Sequence, residues 1–158
     1  MISSILLCAL AGCADDGDAS YGDELTDPQL PPRGSEDVVT WLEAGHYLAW
    51  NCEPEPHPAR PPGAHGRNRI CTNNALSTAP SSEAFPVGAA AVKELVNAAG
   101  GIELHAVYRK VTEGTGGDTW YWFEGAPGDV IANGEGHDKC VGCHGGAPRD
   151  FVFTVVAN

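Results

Sequence analysis

Methionine is nearly absent from this chain. The only one is Met1, so the folded body has no thioether to offer a metal. Basic residues are also scarce. Nine Lys and Arg stand against 21 Asp and Glu, a formal net charge of -12. Nothing here could neutralise a row of phosphates, which excludes a nucleic-acid partner. Long apolar runs are missing as well. The longest near the start, Ile5 to Leu10, is too short to span a bilayer. There is one C-x-x-C and no second, which leaves a closed four-thiolate zinc site without its ligands. Glycine and proline, by contrast, are plentiful. Twenty Gly and twelve Pro in 158 residues argue against a helical bundle and for a turn-rich, mainly β protein.

The N-terminal MISSILLCALAGCADD combines a short apolar run with small residues, the pattern of a secretory leader. Leu10-Ala11-Gly12-Cys13 is similar to a bacterial lipoprotein box, with Cys13 as the lipidated residue. The expectation is an exported protein of the periplasm or cell envelope, held to a membrane only through that anchor. Between Ala14 and Asp37 eight acids face one base, Arg33, with three prolines and no apolar period. This reads as a disordered spacer. The expected division is a leader at 1–13, an acidic linker at 14–34 and one folded domain at 35–158. In an exported protein Cys52 and Cys71 are candidates for a disulfide. It would close the Pro-rich loop EPEPHPARPPGAHGRNRI, a loop of about 20 residues, and contribute roughly 3 kcal/mol.

Near the other end lies Cys140-Val141-Gly142-Cys143-His144, which matches C-x-x-C-H, the attachment signal for c-type haem. Two thiols at this spacing reach both vinyl groups of one macrocycle, and the adjacent His144 becomes the proximal iron ligand. Redox and zinc readings of the same cysteines are the alternatives. A thioredoxin-like site needs a strand before it and a helix after it, whereas Gly145-Gly146-Ala147-Pro148 follows here. With no internal Met, a Met-ligated electron carrier is excluded. Bis-His ligation or an iron with an open distal site remains, the first suited to electron transfer and the second to small-ligand chemistry.

Around this cluster the pattern predicts a helix capped by Ser35 and running to about Trp50, with Val38, Trp41, Leu42, Gly45 and Leu48 on one side. Strands are expected at Arg67–Thr72, Ile102–Val111, Thr119–Glu124 and Phe151–Val156. The second and third of these form a hairpin across a Gly-rich turn. In TWYWFE, Trp120 and Trp122 share a face and are candidates for an apolar haem wall, plain core being the alternative. The fold class is therefore mainly β, an antiparallel sheet with one or two flanking helices and a haem attached near the C-terminus.

The C-x-x-C-H followed by DFVFT (Asp150 to Thr154), with FPVGAAAVKEL upstream (Phe85 to Leu95), resembles the cytochrome P-460 family, which includes the cytochromes c′-beta. The upstream segment is similar to that family's F-x-x-G-x-x-x-V-K-E-L. With the aromatic strand, the similarity covers roughly Trp41 to Val156. The resemblance implies an antiparallel β fold, often dimeric, with one haem c and an open distal pocket. It implies that Lys93 occupies the position covalently bonded to the macrocycle in members that oxidise hydroxylamine. Members lacking that bond take up nitric oxide or carbon monoxide. The partners implied are thus a small diatomic or nitrogenous ligand and an external electron acceptor. It also implies a strand for AAAVKELVNAA, which local propensity alone reads as a helix. The family's distal carboxylate, a proton acceptor, aligns with His105, with Glu103 two residues away on the same face. That histidine is alternatively a second iron ligand or an ordinary strand residue. The family's distal arginine falls near Arg67 or Arg69, either of which is alternatively a partner for the haem propionates.

Overall fold

The computed structural model describes residues 30–81 and 84–156. The expected leader, with Cys13, and most of the acidic linker lie outside the described residues. The linker residues that are described, 30–34, pack on the body. Pro31 is fully buried, its carbonyl accepts from Arg109 (3.1 Å), and Arg33 pairs with Glu135 (2.7 Å).

Helix α1 spans Ser35–Glu43 and buries Val38, Trp41 and Leu42, the three-and-four spacing of one helical face. It is shorter than its apolar pattern predicts. Gly45 takes a left-handed φ of 71° and ends it, and His46–Ala49 continue as a single 3-10 turn. Leu48 consequently leaves the apolar face and is 55% exposed. Ser35 is the first helical residue rather than the cap. Gly34 takes the cap position, and its N–H donates to the Tyr121 hydroxyl (3.1 Å).

Six strands follow in sequence order as one antiparallel meander: β1 Asn51–Cys52, β2 Asn68–Thr72, β3 Ala90–Val96, β4 Ile102–Lys110, β5 Trp120–Ala126 and β6 Asp129–Glu135. Two further short helices are α2 Asn74–Ser77 and α3 Asp138–His144. The mainly β class expected from composition is the class observed. β3, the segment on which local propensity and the family resemblance disagree, is a strand. It lies between β2 and β4, its Ala90, Ala91 and Val92 are buried, and this pairing overrides the helix propensity of its alanines.

The expected closing strand is different. Residues 151–156 form no strand. Asp150 and Phe151 both have positive φ, 37° and 64°, which breaks an extended run, and only the Arg149–Val152 bridge remains. β6 was not apparent in the sequence, because DVIANGE lacks clean alternation and includes Gly134 at φ 139°.

Pairing fixes the two faces of the sheet, since directly opposed residues on antiparallel strands share a side. Cys71, Val92, Val107 and Phe123 form one row and pack under α1 with Val38, Trp41 and Leu42. Ala91, Tyr108 and Trp122 form a row on the other face, where Trp120, Cys140, Val141 and Phe151 join them. Cys52 and Cys71 are disulfide-bonded, as expected for an exported chain with this Pro-rich loop. The bond ties β1 to β2 beneath the Pro-rich loop.

Candidate functional site

α3 carries Cys140, Cys143 and His144 on little more than one turn. Both thiols are unpaired; Cys140 is half-buried and Cys143 exposed. The helix lies close against the sheet. A Cβ added at Gly117 would stand 2.5 and 2.7 Å from the two γ-carbons of Val141, so only glycine permits this approach. Cys140 is turned toward the apolar cluster, and burial pushes its thiol up to about 11. That is the opposite of an activated redox thiol, which is held low at a helix N-terminus or beside a cation. Among the described residues no group of three or more His, Cys, Asp or Glu converges as a metal cluster, which a closed zinc site would require.

The His144 ring packs against Trp122 (4.8 Å between centroids), Phe153 (5.3 Å) and Tyr108 (5.9 Å). Its Nδ1 lies 2.7 Å from the Phe151 carbonyl. A carbonyl only accepts, so Nδ1 carries the proton and Nε2 holds the lone pair. Burial pushes the imidazole down to about 4, so it is neutral at pH 7. A neutral imidazole with Nδ1–H anchored on a backbone oxygen is the form in which histidine ligates a metal through Nε2.

Beside α3 is a cavity of about 170 Å³ lined by Lys93, Tyr108, Trp122, Glu124, His65 and the three α3 ligand candidates. It adjoins a smaller one of about 40 Å³ under the Pro-rich loop, lined in part by Arg60 and Phe153 and sharing Lys93, Cys143 and His144. Lys93 makes no hydrogen bond or ion pair with any described residue, and burial lowers its pKa. Burial is the larger influence, outweighing the opposing pull of the nearby Glu53 and Glu124 carboxylates. Its neighbours across the sheet are Ala106 on β4 and then Glu124 on β5. His65, at 3.6 Å, holds the Glu124 carboxyl below the usual carboxylate range.

Of the two expected wall residues, Trp122 lines the cavity. Trp120 is packed behind it against Phe85 and Tyr108, with the Lys110 ammonium 4.8 Å from its ring.

The expected distal residues require correction. His105 opposes Glu94, and Arg69 opposes Glu94 from the other side, so all three point to the α1 face, away from Lys93. Arg69 grips Glu94 with two bonds of 2.7 Å, and Tyr47 donates to the same carboxylate (2.8 Å). His105 stands 3.4 Å from the Tyr47 hydroxyl. Glu103, two residues from His105 on the same strand, is exposed, lies at the bulge opposite Leu95/Val96, and does not line the cavity. His105 and Arg69 cannot share a cavity with Lys93, because the sheet lies between. Arg67 donates to the Pro56 carbonyl at the surface, away from the cavity lining. The resemblance placed the distal residue one position off, and a shift of one residue exchanges the faces of a strand.

Glu124 and Tyr108 are the site residues that sequence reasoning missed. The signal was present: Glu124 continues the alternation of Trp120 and Trp122.

The donor set fits a c-type haem: two unpaired thiols three residues apart, a neutral imidazole with its Nε2 lone pair available, and an aromatic wall. No protein-family model and no curated protein matches this chain at a significant level.

Proposed function

We propose that this chain is an exported c-type haem protein that binds small nitrogen species such as hydroxylamine and oxidises them, in the manner of the cytochrome P-460 family that its two motifs resemble. The observation that carries the reading is the α3 arrangement. His144 is fixed with its proton on Nδ1, two unpaired thiols precede it, and the cavity beside them holds an unpartnered lysine and an ionised carboxylate. Cys140 and Cys143 would hold the macrocycle and His144 its iron. Haem supplies a metal centre that takes electrons from a small ligand and passes them to an external acceptor.

The chain's own residues divide the remaining work. Trp122 and Tyr108 exclude water from one side of the cavity. Glu124, kept ionised beside His65, is a base for protons released by the ligand, the role the resemblance assigns to a carboxylate. Lys93, half-buried in the cavity without an ion-pair partner and with its pKa lowered by burial, suits covalent attachment to the macrocycle. The Cys52–Cys71 disulfide agrees with an oxidising compartment. No described helix is long and apolar enough to cross a membrane.

The test is direct. Protein made in a host able to attach haem should give a haem c spectrum in alkaline pyridine after denaturation. A tryptic digest should contain no free Lys93 peptide. Glu124→Gln should lower hydroxylamine turnover by roughly 10²-fold or more while leaving haem attachment intact. A colourless protein with free thiols would defeat the proposal.

One observation favours a second reading. His65 lines the same cavity, so an electron carrier with His65 as sixth ligand is the alternative. Six-coordinate low-spin iron in wild type that becomes five-coordinate in His65→Ala would establish it. His105 is not available for that role from the α1 face.

A further inference from the structure

Lys110 and Asp150 form a charged pair outside the cavity, with side chains only 0% and 2% exposed. Asp150 accepts from the Lys110 ammonium (2.9 and 3.1 Å), from the Phe85 N–H (2.9 Å) and from Trp120 Nε1 (3.3 Å). Lys110 also donates to the Gly114 carbonyl and to Thr119 Oγ1 (2.7 Å). Its three donors and the carboxylate's two oxygens are all engaged.

A buried ion pair is poor evidence of a stabilising role, because an apolar pair of the same volume often serves as well. Its geometric effect is more specific. Asp150 sits at φ 37° and Phe151 at φ 64°, and phenylalanine rarely adopts that conformation. Left to local preference, Phe-Val-Phe-Thr would be extended. Instead the carboxylate of Asp150 is drawn inward onto Lys110, and the next residue, Phe151, presents its carbonyl to His144 Nδ1 at 2.7 Å.

We propose that the Lys110–Asp150 pair is a positioning device for His144: it holds the left-handed bend at Asp150–Phe151, whose carbonyl keeps the imidazole proton on Nδ1 and leaves Nε2 as the donor. Neither residue touches the cavity; they act through the bend. The consequence for an iron centre rests on the haem reading, whereas the effect on the imidazole does not. With the Nδ1–H bond in place, Nε2 is a stronger donor and favours the oxidised metal. Without it, the ring is free to carry its proton on either nitrogen.

The test uses full-length protein labelled with ¹⁵N at histidine and made in a host that does not attach haem. In wild type, nitrogen NMR should show His144 protonated on Nδ1 alone. Asp150→Asn should shift it toward the Nε2–H form. The double variant Lys110→Met with Asp150→Asn leaves no unpaired buried charge and should do the same while retaining the native near-UV circular dichroism. On haem-loaded protein both variants should raise the midpoint potential and lower the iron–histidine stretching frequency. Two results would overturn the proposal: wild-type His144 protonated on Nε2, or a folded double variant that keeps the Nδ1–H form and the wild-type stretching frequency. A chain that never takes up haem would defeat the haem reading but leave the tautomer measurement valid.

Discussion

Two polar clusters on opposite faces of the sheet are treated in opposite ways, the Glu94 network under α1 and the groups around the α3 cavity. On the α1 face, Glu94 accepts from Arg69 twice and from Tyr47, and His105 lies at the edge of the same network. Each group of that network has a partner, and the disulfide lies on the same side. On the α3 face, two thiols and Lys93 have none among the described residues, beside a cavity. A buried or half-buried group left unpaired costs stability, and such a cost persists where something other than the fold requires it. Under the proposed function, the contrast assigns holding the protein together to the α1 face and chemistry to the α3 face. A substitution on one face should therefore damage stability, and a substitution on the other should damage cofactor attachment and chemistry.

The largest expected effects separate the faces most sharply. Cys140→Ser with Cys143→Ser should abolish covalent haem entirely, as read by haem staining of denatured protein, with unfolding in urea nearly unchanged for the cofactor-free chain. Glu94→Ala should do the reverse. It strands Arg69, Tyr47 and His105 around a carboxylate that is 3% exposed in wild type. Breaking such a pair costs about 3 kcal/mol, the lower end of the range because the Arg69 side chain is 25% exposed. The midpoint of urea unfolding measures it, and haem should still attach to whatever fraction folds. If Glu94→Ala lowered hydroxylamine turnover per haem while the protein stayed fully folded, the division between faces would be wrong.

Much of this division was legible in the sequence, and the part that was not has physical causes. C-x-x-C-H is a local signal, complete within five residues, so its cluster could be identified without any fold. The strand at Lys93 was legible only through the likeness of Phe85–Leu95 to a known segment, because alanine, glutamate and lysine by themselves favour helix. The face of His105 depends on a cross-strand register. The turn after β3 and the bulge at Leu95/Val96 set that register, and neither leaves a mark that a single sequence displays. Glu124, in contrast, was readable from strand alternation alone. The bend at Asp150–Phe151 was hidden for a third reason. Its cause is Lys110, forty residues earlier, and propensity carries no information about a partner that distant.

A smaller effect probes the contact between sheet and α3. Gly117→Ala would place a methyl against both γ-carbons of Val141 and 3.0 Å from Phe151 Cε1. Overpacking of this kind costs about 1–3 kcal/mol. Adding Val141→Ala removes both γ-carbons and should recover most of the loss in a urea titration. Failure of that rescue would mean that α3 does not rest on Gly117 as described.

The smallest expected effect is the α1-face share of a pH dependence to which the depressed His144 and Glu124 on the α3 face also contribute. Burial lowers the His105 pKa below its ordinary 6.5, despite the opposing pull of the Glu94 charge. The Glu94 pKa is also lowered, although burial alone would raise it, because the Arg69 and Tyr47 hydrogen bonds and the Arg69 charge outweigh burial. Both shifts have the same sign for stability. Folded His105 binds its proton less readily than unfolded, so its contribution is present above pH 6.5 and declines as pH falls from there toward the folded value. Glu94 contributes fully above its ordinary 4.5 and loses that contribution as pH falls through the lower folded value. Stability should thus begin to fall near pH 6.5, on the histidine leg, before the carboxylate leg starts. His105→Gln, which keeps a polar group beside Tyr47 but does not titrate, should make the first leg shallower, the His144 share remaining, and leave the second. An unaltered slope between pH 6.5 and 5 in His105→Gln would show that the buried imidazole is not what the acid side of the curve reports.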